Sequence, residues 1–161
     1  MKILLLTYII LASSITQCKS QNKVIGEIQN GRFIVTVNKD SLVKSANNIL
    51  KEQKLTPNLT KVTIEEGVVD KTTQKCYYVR FTNDNTDIKL VQLLSEKSGK
   101  FSILQSTMER GASVSCSGCR KGCDPKPYVD KDNQIEFYCS DCTLGDTRDC
   151  KKTSTQGTLD P

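Results

Sequence analysis

Six cysteines lie between residues 116 and 150: Cys116, Cys119, Cys123, Cys139, Cys142 and Cys150. Thiols at this density do one of two things. As thiolates they hold a metal, and as oxidised pairs they staple a segment too small to fold on an apolar core. Cys116-x2-Cys119 and Cys139-x2-Cys142 have the spacing of a zinc ribbon, in which two thiolate pairs close on one tetrahedral ion. Between them "PYVDKDNQIEFY" reads as a hairpin turning at Asp130–Asn133, the element that would bring the pairs together. The same cysteines also divide into two trios, 116/119/123 and 139/142/150. Six cysteines allow fifteen pairings, and six of these join each member of one trio to the other. Each such bridge closes a loop of about 20–30 residues and contributes about 3 kcal/mol. Three disulfides are the expected arrangement, with no cofactor. The alternative is zinc on Cys116, Cys119, Cys139 and Cys142, with Cys123 and Cys150 as a disulfide beside it.

Redox chemistry is a further alternative, with either Cys-x-x-Cys pair working as a thiol–disulfide oxidoreductase. Neither motif follows a strand at the start of a helix, the context that lowers a thiol pKa. "CSGCRKGCDP" is similar to the end of a ferredoxin cluster motif, but it lacks the first cysteine and places Asp124 before Pro125. Cys76 stands apart on "KCYYVRFT". It is read as a small residue half-buried in a sheet, with an intermolecular bridge as the sharper option.

Other catalytic chemistry finds little support. The chain has no histidine, which removes His-dependent triads and the commonest general base. Glu65 and Glu66 are adjacent on a strand pattern, so their carboxylates point to opposite faces and form no dyad. "NDNTD" and "DKDNQ" have the look of calcium loops without the closing glycine and glutamate, and are read as polar turns. Asn58-Leu59-Thr60 matches a glycosylation acceptor. The net charge is +5, borne mostly by residues 19–110. No basic run or aromatic stacking pattern accompanies it, so nucleic acid is not an expected partner.

The choice between metal and disulfide depends on the compartment. "MKILLLTYIILASSITQC" has Lys2, an apolar stretch from Ile3 to Leu11, small and hydroxylated residues, and Cys18. This is the layout of a secretory signal, and the apolar stretch is too short to span a membrane as a helix. With Ile15 and Thr16 ahead of Cys18, the stretch resembles the lipobox of bacterial lipoproteins, and "CKSQN" resembles small lipoproteins of Bacteroidota type. Gln17 departs from the small residue usual before the cysteine. The resemblance implies a signal peptide over 1–17, lipid on the Cys18 thiol, and a tether through residue 23. It also implies a membrane partner through the anchor and a periplasm-facing place in the cell envelope, with no acid before Glu27 to mark surface export. The alternative is cleavage near Ser14 and free secretion. A protein partner is expected, of unknown identity.

Val24–Ile28 and "RFIVTV" flank an Asn-Gly pair and predict a tight hairpin. Leu42, Val43, Ala46, Ile49 and Leu50 recur at helical spacing, with Asp40 as N-cap and Thr56-Pro57 as the stop. Lys44, Asn47, Asn48, Lys51 and Lys54 are expected to face water. Beyond Lys61 the period becomes two, giving four strands in an antiparallel meander: from Val62, through "KCYYVRFT" and "DIKLVQLL", to "KFSILQ". The expected fold class is α+β, one helix packed on an antiparallel sheet over residues 24–110. A small cysteine-rich β-hairpin module follows over 111–150, with a disordered tail at 151–161. The layout of the body is similar to cystatin-like folds, although the inhibitory Gln-x-Val-x-Gly motif is absent. The function expected is that of an exported, membrane-anchored lipoprotein, non-enzymatic, with a disulfide-stapled module for binding or spacing. A zinc-ribbon interaction module and a thiol–disulfide oxidoreductase are the alternatives.

Overall fold

The computed structural model describes residues 23–85, 87–104, 113–156 and 159–160. The expected leader, Cys18 and the expected boundary between residues 110 and 111 lie outside them.

β1 (Val24–Gln29) and β2 (Arg32–Val35) form the expected hairpin, with Asn30 and Gly31 at φ 50° and 74°. Both turn residues are left-handed, the conformation that Asn-Gly tolerates and other pairs resist. α1 spans Lys39–Glu52 and buries Leu42, Ala46, Ile49 and Leu50. Its N-cap is Asn38 rather than Asp40. The Asn38 side chain accepts from the Ser41 N–H at 3.0 Å, and Asp40 falls in the first turn, where its charge suits the helix dipole. The end also comes earlier than Thr56-Pro57, at Gln53, followed by left-handed Lys54. Asn47 does not simply face water. Its amide donates to the Leu59 carbonyl at 3.0 Å and accepts from the Leu59 N–H at 2.9 Å, pinning the connector to the helix.

β3 (Lys61–Val68), β4 (Lys75–Thr82), β5 (Ile88–Lys97) and β6 (Lys100–Ile103) make the antiparallel meander. β6 then pairs with β1, so the sheet runs β3-β4-β5-β6-β1-β2 and curls until β2 comes against β3. Gly26 on β1 permits that curl, since a Cβ there would collide with Ile64 Cδ1 and the Ile34 carbonyl. Inside the curl α1 packs over Ile25, Val79, Phe81, Leu90, Leu94 and Phe101. Phe33, Tyr77 and Phe101 close one end, with ring centroids 5.2–5.8 Å apart.

The C-terminal third departs from the expected plan. β7 (Ser113–Ser117) pairs with β5, and β10 (Lys151–Thr155) pairs with β7, so both belong to the body's sheet. The reason lies in β5, which outruns its hairpin partner. Residues 94–97 pair with β6, while 88–91 on the same edge would be left open. An unpaired edge of that length invites a strand, and β7 takes it. Residues 151–161 are therefore no disordered tail where the structure describes them. β10 covers β7, and Leu159 is 4% exposed in the main core.

Among the described strands only β8 (Pro125–Val129) and β9 (Ile135–Cys139) stand apart, as a two-stranded hairpin. Its turn is the one expected at Asp130–Asn133, with Asp130 Oδ1 accepting from the Asp132 and Gln134 N–H groups at 2.9 Å. The hairpin lies on the outer face of the sheet. There Val69, Cys76, Tyr78, Val91 and Val114 meet Phe137 in a second core, with the Tyr78 and Phe137 rings edge-to-face at 5.4 Å. The result is three layers: helix, curled sheet and hairpin.

Candidate functional site: a stapled hairpin and the cleft beside it

The six C-terminal cysteines pair in register, first with first: Cys116–Cys139, Cys119–Cys142 and Cys123–Cys150. Their Cα atoms are 5.7, 5.4 and 6.2 Å apart, a normal disulfide span. β7 supplies Cys116 and the end of β9 supplies Cys139, so the first bridge joins the hairpin to the body's sheet. Cys116, Cys119 and Cys123 are 0–2% exposed and form a third, sulfur-built core.

This geometry bears on the zinc alternative. A tetrahedral thiolate site needs four sulfurs about 3.8 Å from one another. Among the described residues, the sulfurs gathered within 4.8 Å are Cys116/Cys139/Cys150 and Cys119/Cys123/Cys150. The quartet Cys116, Cys119, Cys139 and Cys142 is not brought to one point. Each Cys-x-x-Cys also pairs outward with the other, so neither forms the internal dithiol–disulfide couple of an oxidoreductase. Cys76 lies outside this cluster, 5% exposed in the second core, and is unpaired with any described cysteine. Burial pushes its thiol up to about 11.

A polar latch holds the hairpin down where the apolar contacts end. Asp124, next to Cys123, accepts from Arg80 Nη2 at 2.6 Å and Lys89 Nζ at 2.7 Å. The Lys89 side chain is only 8% exposed. Arg80 Nη1 also reaches Glu65 Oε2 at 3.2 Å, which accepts the Tyr78 hydroxyl as well. Burial pushes the Asp124 carboxyl up, but the hydrogen bonds from Lys89 and Arg80 outweigh it and hold the carboxyl below the ordinary range. The Asp124 N–H donates to Ser140 Oγ, and the Ser140 N–H returns to the Asp124 carbonyl, tying both sides of the hairpin to the latch. Glu65 and Glu66 do face opposite ways, Glu66 pairing with Lys75 and Tyr77.

Arg80, Lys89 and Asp124 were not legible as a site. Arg80 breaks the apolar run of β4 and Lys89 that of β5, and a charge inside a strand with both neighbours buried was the available signal.

Past the latch, Gly118 turns the chain out of β7 at φ 113°, where a Cβ would collide with the Asp149 carbonyl. The loop between Cys142 and Cys150 is ordered around Asp146, which accepts from the Arg120 N–H and from the backbone and guanidinium of Arg148. Leu144 stands fully exposed at its tip. Between this loop and the body lies an open cleft of about 470 Å³, lined by Leu55, Thr56, Asn58, residues 87–88 and 117–120, and Arg148. Compared with family models, with curated proteins and with solved structures, the chain finds no match.

Proposed function

We propose that the chain is an exported, membrane-anchored lipoprotein of non-enzymatic, binding or structural type. The observation that carries this reading is the set of three disulfides fastening the C-terminal segment to the body. Such bridges form and persist in oxidising compartments, not in a reducing cytosol. The lipobox-like stretch ahead of Cys18 supports the same address, with diacylglycerol on Cys18 as the membrane contact. Among the described residues no helix is long and apolar enough to cross a membrane, so attachment in this reading falls to the lipid. Support for a non-enzymatic role comes from the sulfur pairing and from the lack of histidine. A rigid, covalently fixed hairpin with a cleft at its edge suits a protein that presents a surface to a protein or small-molecule partner.

The test is the intact mass of the protein extracted from its own envelope, under native and then denaturing conditions. The expected species begins at a diacylated Cys18, is lighter by six hydrogens than the reduced chain, and loses nothing on denaturation. A native mass heavier by one zinc that vanishes on denaturation, with four thiols then free, would overturn the reading in favour of a zinc ribbon. An unlipidated chain recovered from the medium would replace anchoring with secretion.

A further inference from the structure

We propose that the cleft between the body and the Cys142–Cys150 loop binds a small zwitterion, a free amino acid or short peptide with an ammonium at one end and a carboxylate at the other. The inference deepens the binding role above and rests on it. A volume of about 470 Å³ falls within the range of sites that enclose small ligands. Leu55 and Ile88 give the cleft apolar surface, and its polar groups divide by origin: Asn58 and Asp87 come from the body, Arg120 and Arg148 from the cysteine-rich segment.

The body side offers acceptors. Asn58 lines the cleft, and its Oδ1 is buried with no hydrogen-bond donor. A buried acceptor without a donor is a standing penalty, and a ligand N–H removes it. Asp87 lines the same side and has spent only Oδ1, on the Asn83 amide at 2.5 Å. An ammonium supplies several donors and a positive charge, the match for both residues.

The cysteine-rich segment offers donors. Arg148 is already held by Asp146 through Nε and Nη2 at 3.1 and 3.2 Å. Arg120 is different. Its backbone N–H is fixed on Asp146, but its guanidinium makes no ion pair among the described residues. A planar, permanently charged fork of this kind suits a carboxylate. The wall that carries it is held by the Cys119–Cys142 bridge and by the Asp146 hydrogen bonds, so little ordering is left to be done on binding. Acceptors from the body and a cation from the cysteine-rich segment, lining one cleft, suit a ligand that carries both charges.

The experiment is an amide-resolved NMR titration of the full chain, in detergent micelles with its disulfides formed. The probes are glycyl-leucine, N-acetyl-glycyl-leucine and glycyl-leucinamide. Glycyl-leucine is expected to shift the amides of Asn58, Asp87, Gly118 and Arg120 to saturation. Blocking either terminus weakens binding ~10-fold or more, the loss of one charged hydrogen-bonded end. Arg120→Gln, whose otherwise unchanged spectrum shows the fold intact, loses the distinction between the free acid and the amide. Asn58→Leu loses the distinction between the free and acetylated amine. No shift at these residues up to ~10 mM, weaker than any affinity of use, overturns the inference, as do equal affinities for blocked and free forms. Neither result touches the intact-mass measurement, so failure of the ligand assignment is separable from failure of the anchored, stapled reading.

Discussion

In the body, α1 and the curled sheet close over Phe81, Phe101, Leu42 and Leu90, each 0% exposed. Between residues 116 and 150 a single large aromatic, Phe137, is buried, beside Pro125, Pro127 and the sulfurs of Cys116, Cys119 and Cys123. The first region is stabilised by taking apolar surface out of water. The second is stabilised chiefly by restricting the unfolded chain, because its hairpin is too small to bury much. The join between them uses both means and adds a third, the charged latch at Asp124. Two neighbouring segments of one chain thus depend on different conditions: the body on solvent and temperature, the hairpin on redox state and pH.

The largest expected effect comes from removing apolar bulk in the body. Phe81→Ala should cost about 4 kcal/mol, seen as a lower urea midpoint for the whole protein. Replacing Cys116 and Cys139 together by Ala should cost about 3 kcal/mol. Hydrogen exchange should place that loss in β8 and β9 while β4 keeps its protection. Equal loss in β4 would show that hairpin and body unfold as one unit, and the contrast between them would fall.

Asp124→Asn leaves Lys89 and Arg80 without their shared carboxylate. The expected cost is about 2 kcal/mol, less than for a fully buried pair because Asp124 is 41% exposed. Its pH dependence sharpens the assignment. The folded carboxyl is held below its ordinary value, so the latch contributes fully above the unfolded pKa of about 4. That contribution is lost as pH falls through the lower folded value. Urea midpoints measured from pH 7 down to 2 should show this acid-limb loss in the native protein and a smaller one in the variant. Smallest of all, Leu144→Ser should change stability by less than about 0.5 kcal/mol, since the side chain touches nothing it could lose.

Much of the body was readable along the chain because its signals are local. Asn30-Gly31 sets a left-handed turn wherever it occurs, the spacing of Leu42, Ala46, Ile49 and Leu50 writes one helix face, and alternation marks β3 to β6. The cysteine spacing likewise announced a stapled hairpin around Asp130–Asn133. The misplaced pieces are those whose placement depends on a distant partner. β7 and β10 are short, serine- and threonine-rich strands with little apolar alternation, and they become strands because the open edge of β5 recruits them. Asn47 looked like a solvent-facing helix residue until the connector at Leu59 folded back on it. Arg80 and Lys89 looked like ordinary basic residues until Asp124 arrived between them.

What the sequence determined by itself was the helix and the strands β1 to β6, their faces, and the presence of a segment that needs cross-linking, because backbone propensity and apolar period act over a few residues. Tertiary structure alone decided which cysteine meets which, that Asp124 would face Arg80 and Lys89, and that Leu159 would return to the core. Those pairs lie 23 to 67 residues apart. Contacts at such separations are chosen by how whole faces pack, and no local pattern carries that choice.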